Sequence, residues 1–453
     1  MDEKKRDMMS NEPINKLLIK FSLPAIIGML VNAFYNIADG IFIGHGVGPL
    51  ALGGTTIAMP IMMVMMAIAF TVGTGAASAI SRRMGEKNIE GAEKILGEAI
   101  SLNFMINAIV TVIVFLFMDQ LLILCGATDA MMPYAKEYMR IIAYGILLNS
   151  FAMSTNNYVR AEGNAKVAMI SMIVGAGINI VLDAIFIFGF DMGVKGAALA
   201  TVISQICSAI WLLYYYIKGE SILKIRILNF HLTKKNVKEI IVIGMAAFFR
   251  QIAGSILMVI VNKSMVKYGS DYHLVVFGII NRFFMFMFMP LFGLAQGFQP
   301  IAGFNYGAKK FDRVQKCFQY AAIYASIQSS FAFLVMLLFP KVIISIFTKD
   351  PKTIALGVEG LSMMIWGLPF IGFQIIGSTL FQAIGKGLES LILTMSRQMI
   401  ILIPLVLILP LFIGIDGIFY SYPISDIIAT VITSIVLVKE KKIFDVKKIQ
   451  QEY

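Results

Sequence analysis

The chain has 453 residues, of which 58% are hydrophobic and only 14% charged. A water-soluble domain carries about a quarter charged residues, so this balance excludes a soluble globule, a disordered chain, a collagen-like repeat and a disulfide scaffold. The formal charge of +11, from 38 Lys and Arg against 27 Asp and Glu, gathers in short segments between apolar runs. That is the pattern of loops facing anionic lipid, so the expected partner is the bilayer and not nucleic acid.

In chain order, the first segment, MDEKKRDMMSNEPINK, is charged, and the apolar run behind it extends from Leu17 to Ile43. A signal peptide's apolar core is only about 7–15 residues long, so this reads as a retained first helix. Windows of about 20 residues place further spans near 52–80, 95–117, 136–158, 167–189 and 196–217. A basic stretch, 218–239, follows. Six more spans lie near 240–262, 274–302, 317–339, 356–383, 391–413 and 417–438, and a basic tail covers 439–453. The expected fold is an all-α polytopic membrane protein with twelve transmembrane helices, several bent at prolines such as Pro24, Pro60 and Pro290. Lys and Arg concentrate on the side that holds both ends of the chain, including Lys4, Lys5, Arg82, Arg83, Lys87, Lys309, Lys310 and Arg313. Both termini are therefore expected in the cytoplasm of a cell-membrane protein.

The chain also repeats itself at an offset of about 222 residues. Gly75 and Gly85 match Gly297 and Gly307, Gly145 matches Gly367, and RAEGNAK from Arg160 matches QAIGKGL from Gln382. GVKG from Gly193 matches GIDG from Gly414, and Ser204 matches Ser425. Order and spacing persist across half the chain, which similarity between greasy helices does not explain. The domains expected are a six-helix bundle, 1–217, a linker, 218–239, and a second six-helix bundle, 240–438. Six being even, the bundles share one topology and relate by a pseudo-twofold along the membrane normal, with a solute cleft between them.

Ionisable groups inside spans mark function by default. Asn32, Asn36 and Asp39 form one polar stripe in the first span, while Asn179 and Asp183 share a face of the fifth. At about 1.5 Å per residue, Asp39, Asp183 and Thr201 all lie within about 6–9 Å of the outer helix ends, so they can form one cluster. Two carboxyls with amide and hydroxyl oxygens suit a proton or a hard cation such as sodium. The plainer alternative is that each aspartate merely caps a helix end. Spans of the second half offer no similar carboxylate, Asp416 reading as an outer turn. Arg250, beside Gln251 in the seventh span, faces either an acid or the cleft; Arg282 and Arg397 read as structural. RFFMFMFMP, from Arg282 to Pro290, reads as packing or lipid contact more than as an adaptable ligand surface. His45, His231 and His273, and the distant Cys125, Cys207 and Cys317, form no metal-ligand or disulfide spacing. Neither a Walker A sequence nor His-Glu-x-x-His or Gly-x-Ser-x-Gly is present, so neither an enzyme nor a cofactor is expected.

LPAIIGMLVNAFYNIADGIFIGHGVGPLALGG, the glycine-bearing run before SRRMGEKN, RAEGNAKVAM and their second-half counterparts resemble multidrug and toxic compound extrusion (MATE) transporters over about residues 10–440. Within them the chain is most similar to the bacterial and archaeal branch related to DNA-damage-inducible proteins, which includes staphylococcal multidrug exporters. The resemblance implies a secondary exporter, working as a monomer, that exchanges protons or sodium for organic, amphipathic and cationic solutes. It implies a cation site at Asp39, Asn179, Asp183 and Thr201, with Asn36 nearby and helix bending at Pro24. Tyr35 and Asn156 match family positions; apart from the resemblance, Arg250 and Gln251 are candidates for the cleft from their place in the seventh span. A second branch relies on acids in spans 7 and 10, where this chain has Arg250, Gln251 and Gln374. The alternative within the superfamily is a flippase for lipid-linked sugars, for which a more cationic cavity is expected.

Overall fold

The structure, a computed structural model, describes residues 2–218 and 221–440. Most of the expected tail, from residue 441 on, lies outside the described residues. A short helix, Asp2–Asn11, precedes α1 (Ile14–Gly46), α2 (Pro49–Gly85), α3 (Ile89–Leu116) and α4 (Met132–Ala161). Next come α5 (Ala165–Asp183), prolonged by a π turn over Ala184–Gly189, and α6 (Gly193–Ile217). The second half holds α7 (Lys234–Tyr268), α8 (Asp271–Gly307) and α9 (Phe311–Leu338). In α10, a 3-10 turn at Ile365–Gly367 joins Pro351–Met364 to Leu368–Ala383. In α11, a π segment, Ser396–Leu402, follows Gly387–Met395, and α12 is Asp416–Lys439. Among the described residues there is no strand.

Eleven of these helical units are long and apolar enough to cross a membrane, and α4 is the exception. Its reason is enclosure. Ser150, Ser154, Thr155, Asn156, Asn157 and Arg160 are all buried in protein, where α4 packs on α2, α3 and α6. Polar residues in a span are tolerated when neighbouring helices shield them from lipid.

The sequence repeat reappears in the backbone. Lys87 and Lys309, with φ of 62° and 57°, turn the chain between α2 and α3 and between α8 and α9. Gly163 and Gly385, with φ of 94° and 87°, end α4 and α10. Left-handed backbone at matched positions shows two copies of one folding pattern.

The halves meet where α1 runs along α8 and α2 runs along α7 and α8. Glycine allows the approach: a Cβ on Gly75 would strike the Ile240 carbonyl, and one on Gly244 the Thr71 carbonyl. Ser78 Oγ donates to the Gln382 and Ala383 carbonyls at 2.6 and 3.0 Å, while Arg82 and Arg83 pair with Glu239 at 2.8 and 3.0 Å. All of these lie toward the end of the molecule that carries the chain termini. A separate buried cluster, including Ile43, Ala58, Leu122, Tyr138 and Ile146, packs the opposite end of the first half on itself. The cleft is thus sealed at the terminus-bearing end.

The connection after α6 is docked on the first half. Glu162 Oε2 accepts from Ser221 Oγ and Ile222 N, and Glu93 Oε1 accepts from Lys224 N. Glu98 accepts from Thr233 N, Thr233 Oγ1 and Asn236 Nδ2. All three carboxylates are buried. With Lys234 already helical, the expected loop is in large part a fixed strap and the first turn of α7.

Candidate functional site

The site is built at the far end of the first half from α1, α5, α6 and α4. On α5, Asn179 and Asp183 are four residues apart and so share one face, and both are fully buried. Asp183 is the last α-helical residue before the π turn. Such bulges break the regular ladder and commonly occur at functional sites. Thr201, in the third turn of α6, receives a long hydrogen bond from Asn179 Nδ2, at 3.4 Å. Asp39 approaches from α1, and its carboxyl lies against that of Asp183.

The oxygens decide the chemistry. Asp39 Oδ1, both carboxyl oxygens of Asp183 and Asn179 Oδ1 are buried without a protein donor. Buried acceptors are nearly always paired, so four orphans in one cluster call for something that brings positive charge or a hydrogen. Two touching carboxyls accept a shared proton, because like charges at contact disfavour double ionisation. The same oxygens, with Thr201 Oγ1, offer a hard cation an all-oxygen shell; no thiolate or imidazole is there to favour a transition metal.

Two tyrosines complete the wall. Tyr35 lies close to both carboxyls and contacts Asn36. Tyr138, buried on α4, meets Thr201 and lies near Asp39 and Asp183. The sequence reading missed Tyr138. Its depth, about 9 Å inside the outer end of α4, matches that of Asp183 and was the available signal.

The other expected residues do not join these oxygens. Asn36 is exposed and donates to the Asn32 carbonyl at 2.7 Å. Pro24 sits inside α1, which remains one continuous helix through it. Asn156 is buried toward the opposite end, donating at 2.7 Å to Ala168 O and Ser171 Oγ and so tying α4 to α5. Arg250 and Gln251 lie half-buried in mid-α7, and no ion pair engages Arg250 among the described residues.

One expectation is corrected. The second half does hold an intramembrane carboxylate, Asp426 on α12, buried and bonded by Arg397 Nε at 2.7 Å. Unlike Asp183 it has its cation beside it, which fixes α11 to α12.

The MatE family pattern matches residues 24–185 and again 246–408, one copy in each half. The chain belongs to the MatE family. Among curated relatives of this MatE protein, the multidrug export protein MepA of Staphylococcus aureus (strain MSSA476) is 26% identical over 416 residues, 91% of each chain. Among solved structures, the MATE multidrug transporter DinF-BH in complex with R6G is 40% identical, with a TM-score of 0.90 over 96% of this chain and 97% of that one. An outward-facing multidrug resistance MATE transporter of the MOP superfamily is 28% identical, with a TM-score of 0.91 and coverage of 97% and 98%. This MatE chain is a multi-pass membrane protein of twelve helices in two bundles, and its family is one of transporters.

Proposed function

We propose that this MatE protein is a secondary active multidrug exporter of the cell membrane, working as a monomer and without covalent chemistry. It exchanges inward flow of protons or sodium for outward movement of organic, amphipathic cations. The observation that carries the ion-coupled reading is the set of orphaned oxygens at Asp39, Asn179 and Asp183. Its likeness to DinF-BH and MepA, both named as multidrug transporters, supports the substrate class.

With both termini in the cytoplasm, the sealed end of the cleft faces inward and the ion site lies near the external side. Protonation or sodium binding there removes the repulsion between Asp39 and Asp183 and lets α1 repack against α5. Pro24, whose ring leaves the Lys20 carbonyl without its helical donor, is the joint at which α1 bends. Coupling follows if drug and ion bind the two arrangements with different free energies. Residues 1–217 and 240–438 are the two moving bodies, and Arg250 and Gln251 contribute to the drug path.

The test is ethidium uptake into inside-out proteoliposomes with a pH gradient and a sodium gradient imposed separately. Uptake driven by one gradient and abolished by Asp39→Asn or Asp183→Asn is expected. Uptake that persists in both folded variants overturns the site, and no uptake under either gradient overturns the drug-exporter reading.

A further inference from the structure

Arg160 has a feature that the transport reading does not use. It lies in the last turn of α4, is 5% exposed, and among the described residues its side chain donates only to Asn157 Oδ1, at 3.2 Å. No carboxylate pairs with it among the described residues. Glu162, two residues on, is turned to Ser221 and Ile222 of the strap. A position in the last turn lets the helix dipole offset part of the charge. That accounts for a cation at the helix end, but not for its direction, which is into the seam between the halves.

There Arg160 lines a void of about 10 Å³ with Asn157 and, from α8 of the other half, Gln296 and Gln299. The void is the size of a single water. Gln296 Oε1 is buried without a donor, and Gln299 Nε2 donates to the Thr74 carbonyl at 3.3 Å. Beyond Thr74, Gln382 Nε2 reaches its hydroxyl at 3.4 Å. The sealed end is therefore closed partly by a polar junction, and a hydrated file of amides and hydroxyls conducts protons or small cations unless something opposes them.

We propose that Arg160 is the cation barrier of the closed seam: a fixed positive charge at the polar junction that keeps protons and sodium from crossing while the cleft faces the other side. A buried guanidinium without a counter-charge raises the energy of any cation beside it far more than it would in water, as positive charges do in water-selective pores. The repeat supplies the control. The matched residue of the second half is Gln382, neutral, buried and hydrogen-bonded to Ile243 O at 3.2 Å. The position tolerates glutamine in one copy of the fold, so the charge in the other copy serves something besides packing. This role rests on the ion-coupled reading above, since only a gradient-driven protein is harmed by such a leak.

The experiment measures decay of an imposed pH or sodium gradient in drug-free proteoliposomes, with trapped pyranine or a sodium dye, beside release of trapped calcein and efflux of chloride. R160Q is expected to speed cation leak about tenfold, with calcein and chloride unchanged, and R160K to leak like the parent. N157D, which sets a carboxylate against an intact Arg160, is expected to leak like R160Q and serves if R160Q does not fold. Equal cation leak in folded R160Q or N157D overturns the barrier. So does faster passage of calcein and chloride alongside cations, which marks a loosened seam. Because no drug is present, a chain that fails the ethidium test and still shows this selective leak loses only its exporter reading.

Discussion

Asp183→Asn separates an ion site from a pair of helix caps. In the folded protein, Asp39 Oδ1, Asn179 Oδ1 and both Asp183 carboxyl oxygens lack a protein donor. An asparagine at 183 keeps the shape, removes the like charge facing Asp39 and brings two N–H groups, enough for Asp39 and for Asn179. Satisfying a buried acceptor recovers roughly 1–3 kcal/mol, so two give about 2–6 kcal/mol where the native site holds neither proton nor sodium. For a chain of this size that corresponds to about 2–6 °C in melting temperature. The assay is thermal unfolding of purified protein at pH 9 in sodium-free buffer: the variant melts above the parent, and adding the coupling ion, by acidification or with sodium, closes the gap. Ion-driven ethidium exchange by the variant falls at least about a hundredfold, because an amide neither takes up nor releases the ion. A variant that melts below its parent at pH 9 and still exchanges ethidium against an ion gradient refutes the reasoning, and with it the view that these oxygens await a cation.

Two further outcomes follow from buried charges elsewhere. Asp426→Leu leaves the half-buried Arg397 without its partner and is expected to cost about 2–4 kcal/mol in thermal unfolding, whereas the double variant Asp426→Leu with Arg397→Leu recovers most of that loss; equal destabilisation by the two would show that the pair is not the reason. Glu98→Ala removes the acceptor of Thr233 N, Thr233 Oγ1 and Asn236 Nδ2, so a loss of about 2–4 kcal/mol and faster proteolytic cleavage between residues 221 and 233 are expected, and unchanged cleavage would show the strap to be held by other contacts.

The sequence carried periodic information well and partner information poorly. Helix existence, the repeat and the depth of Asp39, Asp183 and Thr201 follow from apolar runs, spacing and a fixed rise per residue, and the structure brings those three residues together. Tyr138 escaped because a tyrosine at a span end also reads as an interfacial anchor. Asp426 escaped because one carboxylate amid YSYPISD carries no mark of Arg397, twenty-nine positions earlier and on the preceding helix. The strap escaped for a different reason. Glu93 and Glu162 look like charges punctuating basic loops and Glu98 like a polar residue near the start of a span, yet all three hold the strap, partly through backbone N–H groups that every sequence offers alike. Gly75 was visible as a repeated letter, but its meaning, an approach of backbone to backbone between α2 and α7, required the second element and Gly244 on it.

The two halves are alike in backbone and unlike in the partners of their intramembrane acids. In the second half the intramembrane acid has its arginine, and the pair serves as a rivet between α11 and α12. In the first half, among the described residues, Asp39 and Asp183 have no cation and Arg160 has no acid. A helix bundle built only for stability would bring such charges together or dispense with them, since each is costly alone in a low-dielectric interior. They are kept apart at opposite ends of one bundle, the acids in the interior near the end remote from the chain termini and the guanidinium at the seam on the terminus-bearing end. That separation suits a machine that must attract a cation from one side and refuse it passage at the other, and duplication of one six-helix unit followed by divergence of its charges is sufficient to produce it.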